Sequence, residues 1–519
     1  MVGRPLVTRS ARGLILALLC AACGNSSSRP APVDISSRPA PVDTSALMDS
    51  AKCQTCHPGQ YQQWAGSMHA YATDDPVFLA MNARAQRESN DTLGAFCVNC
   101  HAPMAVRTGM TDGTNLDSLP ASVRGVTCYF CHSITEVTDT HNAPLTLDAK
   151  SNLYGPFADP VPEVPHNAAY SRFLDGSTNE SAQACGSCHD IVNLQGAHVE
   201  RTFAEWRATV LSQTPSGKPC AQCHMPASSG FAAEVPPFKV RQVHDHTLAG
   251  VDLALGPFPA PGSGAEALPE NQGQQSAAQA FLDTAVQATL CLNPATRRLQ
   301  LTLDNAGASG HSWPSGATPD RRAWIELTAY QGGQVIYASG NTQAVGTFPT
   351  ALPLEDSSPD PDLWLIRDCI FDAAGTPLVL FWQTALLAKS NQLPGLVSQS
   401  VTDPNTYQAP FMREFPSTGT LTALPDHVTV QLHLQAIGDD VLSSLVASGD
   451  LDPSVPSQIA RYTLGGGAAL DWTPTAPNVF QATDATSGAV MTCITNGAYA
   501  SNTTPAISHA RCAGLADGP

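Results

Sequence analysis

Cys53-Gln-Thr-Cys56-His57 is the first of five copies of one pattern. The others are Cys97-Val-Asn-Cys100-His101, Cys128-Tyr-Phe-Cys131-His132, Cys185-Gly-Ser-Cys188-His189 and Cys220-Ala-Gln-Cys223-His224. C-x-x-C-H is the attachment site of a c-type haem. Two thiols one helical turn apart reach the two vinyl groups of one porphyrin, and the adjacent His lies under the ring as an axial iron ligand. Zinc held by CxxC pairs is the competing reading. Zinc does not require a His after every second Cys, and five such units do not divide into pairs. The pattern therefore predicts five covalently attached haems. The motifs occupy residues 53–224, too little chain to wrap each cofactor in a core of its own. The haems are expected to pack against one another, carried on short helices joined by Pro/Gly loops.

Around this segment the composition is acidic and poor in charge. The chain has 519 residues, with 44 acidic and 26 basic side chains and 13% charged residues. A net charge of −18 excludes nucleic acid as a partner, because binding phosphate needs surplus Lys and Arg. Residues 251–519 hold 23 acidic and 9 basic side chains, so most of the negative balance lies there. Redox partner proteins with a basic docking face are expected. Residues 1–22 read as a signal segment, with Arg4, Arg9 and Arg12 ahead of the apolar run Gly13–Leu19. Cys23 after Ala21-Ala22 reads as a bacterial lipoprotein cleavage site giving a lipid anchor, with simple secretion as the alternative. An exported bacterial protein, periplasmic or associated with the outer membrane, follows from either. Ser27–Asp34 (SSRPAPVD) recurs as Ser36–Asp43, so residues 23–50 are expected to be an extended linker.

Each iron needs a second axial ligand or keeps an open position. The candidates are His69, His141, His166, His198, His244, His246 and His311. We expect His69, His166, His198, His246 and His311, with His141 and His244 in reserve. His427, His433 and His509 read as structural. Met104 and Met225 lie too close to their own motifs to reach the far face of the same haem and read as packing residues.

His69 closes the stretch Tyr61-x-x-Trp64-x-x-Ser67-x-His69, which is followed by C-x-x-C-H-x-P-M at Cys97–Met104. Together with the first motif, these residues resemble the multihaem cytochrome c-552/c-554 family over roughly residues 51–250. The resemblance implies that His69 is a distal haem ligand. It departs in haem number, since the best-known member carries four haems and this chain has five motifs. His198 in AHVERTFAEW, His246 in VHDHTLAGVD and His311 in GHSWPSGATPDRRAW are similar to stretches of a wider set of multihaem cytochromes. In that set a β-rich module follows the haem domain.

Residues 251–280 are rich in Pro, Gly and Gln and read as a linker. Beyond them, short alternating runs at Val286–Leu292, Leu299–Leu303, Ala323–Ala329, Gln334–Tyr337 and Val428–Leu434 read as antiparallel strands. Asp440–Ala447 and Pro453–Ile459 read as short helical insertions. The expected fold is thus multidomain: a mainly α/loop multihaem cytochrome c domain over 51–250, then an all-β, sandwich-like domain over 281–519. His311 would reach from the second to a haem of the first. Arg321 and Arg322 would pair with haem propionates or with surface acids, and Trp324 and Ile325 would be core. The acidic run Glu355–Asp362 reads as a solvated loop, with calcium binding as the sharper alternative. Cys291, Cys369, Cys493 and Cys512 are expected to form two disulfides, with three connectivities open.

Two functions compete. The first is an electron carrier relaying electrons through His-ligated haems between periplasmic or membrane donors and acceptors. The second is a multihaem redox enzyme acting on a nitrogen or sulfur compound at a haem with an open position. All five motifs end in His, where pentahaem nitrite reductases usually carry one Lys, which weakens the nitrite reading. The β-module docking on a partner or matrix is a third role.

Overall fold

Leu299, Leu301 and Leu303 alternate with half-exposed neighbours along the strand Arg298–Asp304, and all three are fully buried. This period of two drives a strand against a core on one face. The computed structural model describes residues 44–519 except 149, 151, 162–165, 214–216, 256–271, 306–308, 344, 348–352, 386–388, 398–409, 497–504, 509–510 and 513–519. The signal segment, Cys23, the Ser/Pro repeat, most of the 251–280 linker and His509 lie outside the described residues.

Arg298–Asp304 sits in a six-stranded sheet of order Val479–Thr483, Val490–Thr495, Gln287–Asn293, Arg298–Asp304, Phe411–Phe415, Ala506–Ile507. A second sheet runs Gln334–Ser339, Arg322–Gln331, His427–Gln435, Arg461–Leu464, and two short strands pair with its middle members. Leu290, Leu299 and Leu301 from the first sheet join Ile325, Leu327, Val430 and Leu432 from the second in one core cluster. Trp324 and Ile325 are core, as their sequence context predicts. Two disulfides fasten this part, Cys291–Cys493 between paired strands and Cys369–Cys512.

Residues 51–250 are built differently, from short helices, turns and two-stranded ribbons. Helices such as Val98–His101, Cys128–His132 and Cys220–His224 span one turn each. Such pieces are too short to be stable alone and depend on tertiary packing. Their ends are punctuated locally. Thr127 caps Cys128–His132 by accepting from the Phe130 amide, and Pro58 and Pro103 open the helices that follow two of the motifs.

The helical and β-rich parts are joined through side chains. Val77, Ala80 and Ala85 on the helix Pro76–Glu88 share a cluster with Val441, Leu442 and Leu445 on the helix Asp439–Ala447. Arg84 donates to Ser444, and Arg87 makes a bidentate pair with Asp450. The expected insertion at Pro453–Ile459 is a single 3-10 turn, Val455–Gln458. From Gln272 the stretch read as a linker is helical, over Gln272–Ala285. Gln and Ala are good helix formers, and the helix docks Ala278 and Leu282 into the β core.

Two further expectations are corrected. Arg321 donates to both carboxylate oxygens of Asp252 (2.8 and 2.6 Å) and to the Ala436 carbonyl. Arg322 is fully buried, and its Nη2 donates to both carboxylate oxygens of Asp440 at 2.5 Å. Both guanidiniums thus serve protein carboxylates at the join, Asp252 and Asp440. The Glu355–Asp362 run is neither solvated throughout nor a cation site. Asp360 accepts from Ser339 and the Gly340 amide, and Asp362 from Tyr337 and the Ser417 amide, all inside the fold. Among the described residues no group of three or more His, Cys, Asp or Glu is placed to hold a metal ion.

Glu205, on the helix Thr202–Ala208, carries a pH signature of this join. Its carboxylate accepts from Ser315 (2.6 Å) and Gln392 (3.1 Å). Burial pushes its pKa up to about 7, with Asp368 adding to the shift. The folded chain therefore holds a proton that the unfolded chain releases near its ordinary value of 4.5. Stability contributed at low pH is lost as pH rises from there to about 7. Glu205→Gln is expected to raise the melting temperature more at pH 8 than at pH 5, by an amount equivalent to at most about 3 kcal/mol. Melting curves at the two pH values check this, and an equal change at both would refute the burial argument.

Candidate haem-binding site

Each of the five motif histidines projects from a turn whose backbone is closed by its own cysteines. The amides of His57, His101 and His189 bond to the carbonyls of Cys53, Cys97 and Cys185. This four-residue return sets both thiols and the imidazole around one turn.

The imidazoles are then oriented by what their Nδ1 atoms meet. His57 donates to the Ala232 carbonyl (2.6 Å), His101 to Ala72 (3.1 Å), His132 to Tyr154 (2.6 Å) and His224 to Ala249 (3.3 Å). A carbonyl only accepts, so the proton sits on Nδ1 and the Nε2 lone pair is left for a metal. His189 differs: its Nδ1 lies 3.4 Å from Glu200 Oε1. Burial alone would lower the His189 pKa, but the Glu200 carboxylate overcomes it and holds the value near 9.

Three motif histidines face a second histidine. Ring centroids are 6.4 Å apart for His57 and His166, 6.4 Å for His132 and His246, and 6.1 Å for His189 and His69. Two imidazoles bound trans to one metal at about 2 Å each would put their centroids about 6.3 Å apart. The donor set and spacing therefore fit a haem iron between each pair. Burial also favours the neutral imidazole, the form that binds iron, at His69 and His132. His69 is pushed down to about 3 and His132 to about 4, mainly by desolvation.

The other candidates are placed as follows. His311 donates to the Ser312 carbonyl (2.8 Å), and burial lowers its pKa to about 4, with His224 and His189 as electrostatic neighbours. It thus reaches from the β-rich part toward two motif histidines. His198 faces His141 at 6.5 Å, and its Nδ1 lies 3.9 Å from Asp190, the residue after the motif His189. His244 donates to the Met225 carbonyl (2.6 Å). Phe78 stacks on His101 at 4.0 Å, and among the described residues no histidine ring stacks with His101. Of the histidines read as structural, His433 stacks on Trp324 and bonds Thr463, and His427 pairs with Asp471. Met104 is buried in the core of the helical part.

The motif cysteines also report which motifs are neighbours. The Cys53 thiol lies beside that of Cys128, Cys100 beside Cys188, and Cys185 beside Cys220. Cys131 lies within electrostatic reach of Cys185 and Cys188. The fourth motif, Cys185–His189, is thus the junction that the second, third and fifth all approach. The sequence carries no local signal for this, because the partners are separated by 35 to 88 positions in the chain.

Comparison with known proteins agrees with this chemistry. Residues 52–133 match the family described as cytochrome c554 and c-prime. The fold is similar to that of a penta-heme cytochrome c552 from Thermochromatium tepidum, with a TM-score of 0.52 and 20% sequence identity over 82% of this chain and 98% of that one. No curated protein matches the chain. Among the described residues, no helix is long and apolar enough to cross a membrane.

Proposed function

We propose that this multihaem c-type cytochrome attaches five haems, one at each CxxCH motif, and relays electrons between donors and acceptors outside the cytoplasm. The observation that carries the proposal is the facing of motif histidines by second histidines at 6.1–6.4 Å. His57/His166, His132/His246 and His189/His69 are the ligand pairs we assign, and His224/His311 is the fourth, supported by their electrostatic contact. His198, which faces His141, is left out of these sets. Bound haem supplies one-electron exchange at iron. The chain's contribution is to fix each Nε2 toward the metal through its Nδ1 bond and to hold the motifs close together. The thiol contacts support an order in which the first motif adjoins the third, and the fourth adjoins the second, third and fifth.

We read the two sheets as a sandwich, whose acidic surface suits a basic redox partner. Cys23 is the proposed lipid anchor of an exported chain. The test is a pyridine haemochrome assay with electron paramagnetic resonance of the oxidised holoprotein. Five haems per chain and dominant low-spin ferric signals are expected. Any other count would sink the motif assignment. A high-spin ferric signal with turnover of nitrite, hydroxylamine or tetrathionate would replace the carrier with an enzyme acting at the His101 haem.

A further inference from the structure

The five motif histidines are not equivalent in what holds them. Four give Nδ1–H to a neutral backbone carbonyl, and His189 meets the carboxylate of Glu200. Glu200 ends the strand His198–Glu200, and its register opposite Ile191 brings it back alongside the motif it serves. Its side chain is largely buried, 18% exposed. Arg321, fixed by its bidentate bond to Asp252, is the cation within electrostatic reach of that carboxylate, and His101 also feels its charge.

We propose that Glu200 is a positioning residue that makes the Cys185–His189 haem the lowest in reduction potential of the five. This rests on the five-haem reading above. A carboxylate draws the Nδ1 proton more strongly than a carbonyl does. His189 thereby gains imidazolate character and becomes a stronger donor to ferric iron, which favours the oxidised state. The position gives the effect its meaning. The fourth motif is the one that three others approach, so the junction of the relay is the site at which an electron rests least. Electrons then reside on the flanking branches and cross the junction in transit.

The experiment is a spectroelectrochemical titration of wild-type, Glu200→Gln and Glu200→Asp holoproteins, after each has been shown to carry its full haem count. In E200Q the potential of the lowest-potential component is expected to rise by about 59 mV, a tenfold fall in its oxidised-to-reduced ratio at a fixed applied potential for one electron, while the other components stay. The g-values of one low-spin signal are expected to change with it. E200D, which keeps the charge but withdraws it by one methylene, is expected to move the same component less. An unchanged titration in both variants overturns the proposal, as does a uniform shift of all components. Fewer haems in E200Q overturns it too, because a contact that sets a potential is not needed for attachment. A wild-type count other than five refutes the underlying cofactor reading instead, so the two failures are separable.

Discussion

A Cys185→Ala/Cys188→Ala variant is expected to carry four haems instead of five and to transmit electrons orders of magnitude more slowly between the branches of the relay. The loss falls on the one motif whose thiols contact two others, Cys100 and Cys220, with Cys131 close by. Removing an end motif would shorten the relay, whereas removing this one divides it. Pyridine haemochrome counts the haems, and stopped-flow reduction by a one-electron donor measures the split. The signature is one fast fraction and one stranded fraction, in place of a single connected population. Uniform reduction at the wild-type rate would show that the fourth motif is not the junction. The helix Ser181–Gly186 is expected to survive, since it is held through Gly186, where a Cβ would lie 2.3 Å from the Phe203 ring, and not through the thiols alone.

Arg322→Leu is expected to destabilise the β-rich part by about 3–5 kcal/mol, the usual cost of leaving a buried charge without its partner. Arg322 is fully buried and donates through Nη2 to both Asp440 oxygens and through Nη1 to the Pro319 and Arg321 carbonyls. Without it, Asp440 retains the Val441 amide at 3.0 Å and the Arg367 guanidinium at 3.5 Å, while the two carbonyls lose their donor. Lys at this position keeps the charge but has no planar group to serve Asp440 and the two carbonyls from separate nitrogens, so Arg322→Lys is expected to recover part of the loss. Arg322→Leu/Asp440→Leu is expected to recover more, because it removes both charges together. Calorimetric melting of the holoproteins ranks the four chains. A single variant as stable as wild type would refute the role of the ion pair.

The cofactor chemistry was legible because each attachment site is contiguous: five residues carry thiols, spacing and ligand together. The strands were legible for a similar reason, since the alternation of Leu299, Leu301 and Leu303 is a local statement about one buried face. What escaped is non-local. His166 and His57 are 109 positions apart, and nothing near His198 signals that its facing ring is His141. Arg321 and Arg322 stand in a stretch that suggests anion binding, and only the fold supplies Asp252 and Asp440 from distant elements. The Gln272–Ala285 helix was hidden because its Gln-rich start continues a Pro/Gly-rich run, while the apolar face that docks it amounts to a few residues.

The thiol contacts between motifs also constrain how the molecule is made. Four cysteines are oxidised, as Cys291–Cys493 and Cys369–Cys512, while the ten motif cysteines are free thiols, and the five-haem proposal requires them to stay reduced until haem is attached. Cys53 lies beside Cys128, Cys100 beside Cys188, and Cys185 beside Cys220, and neighbouring thiols are open to oxidation wherever the compartment is oxidising. A chain that folded first would bring these six thiols together before haem reached them. Biogenesis is therefore a race in which haem must reach the motifs before tertiary structure brings them together.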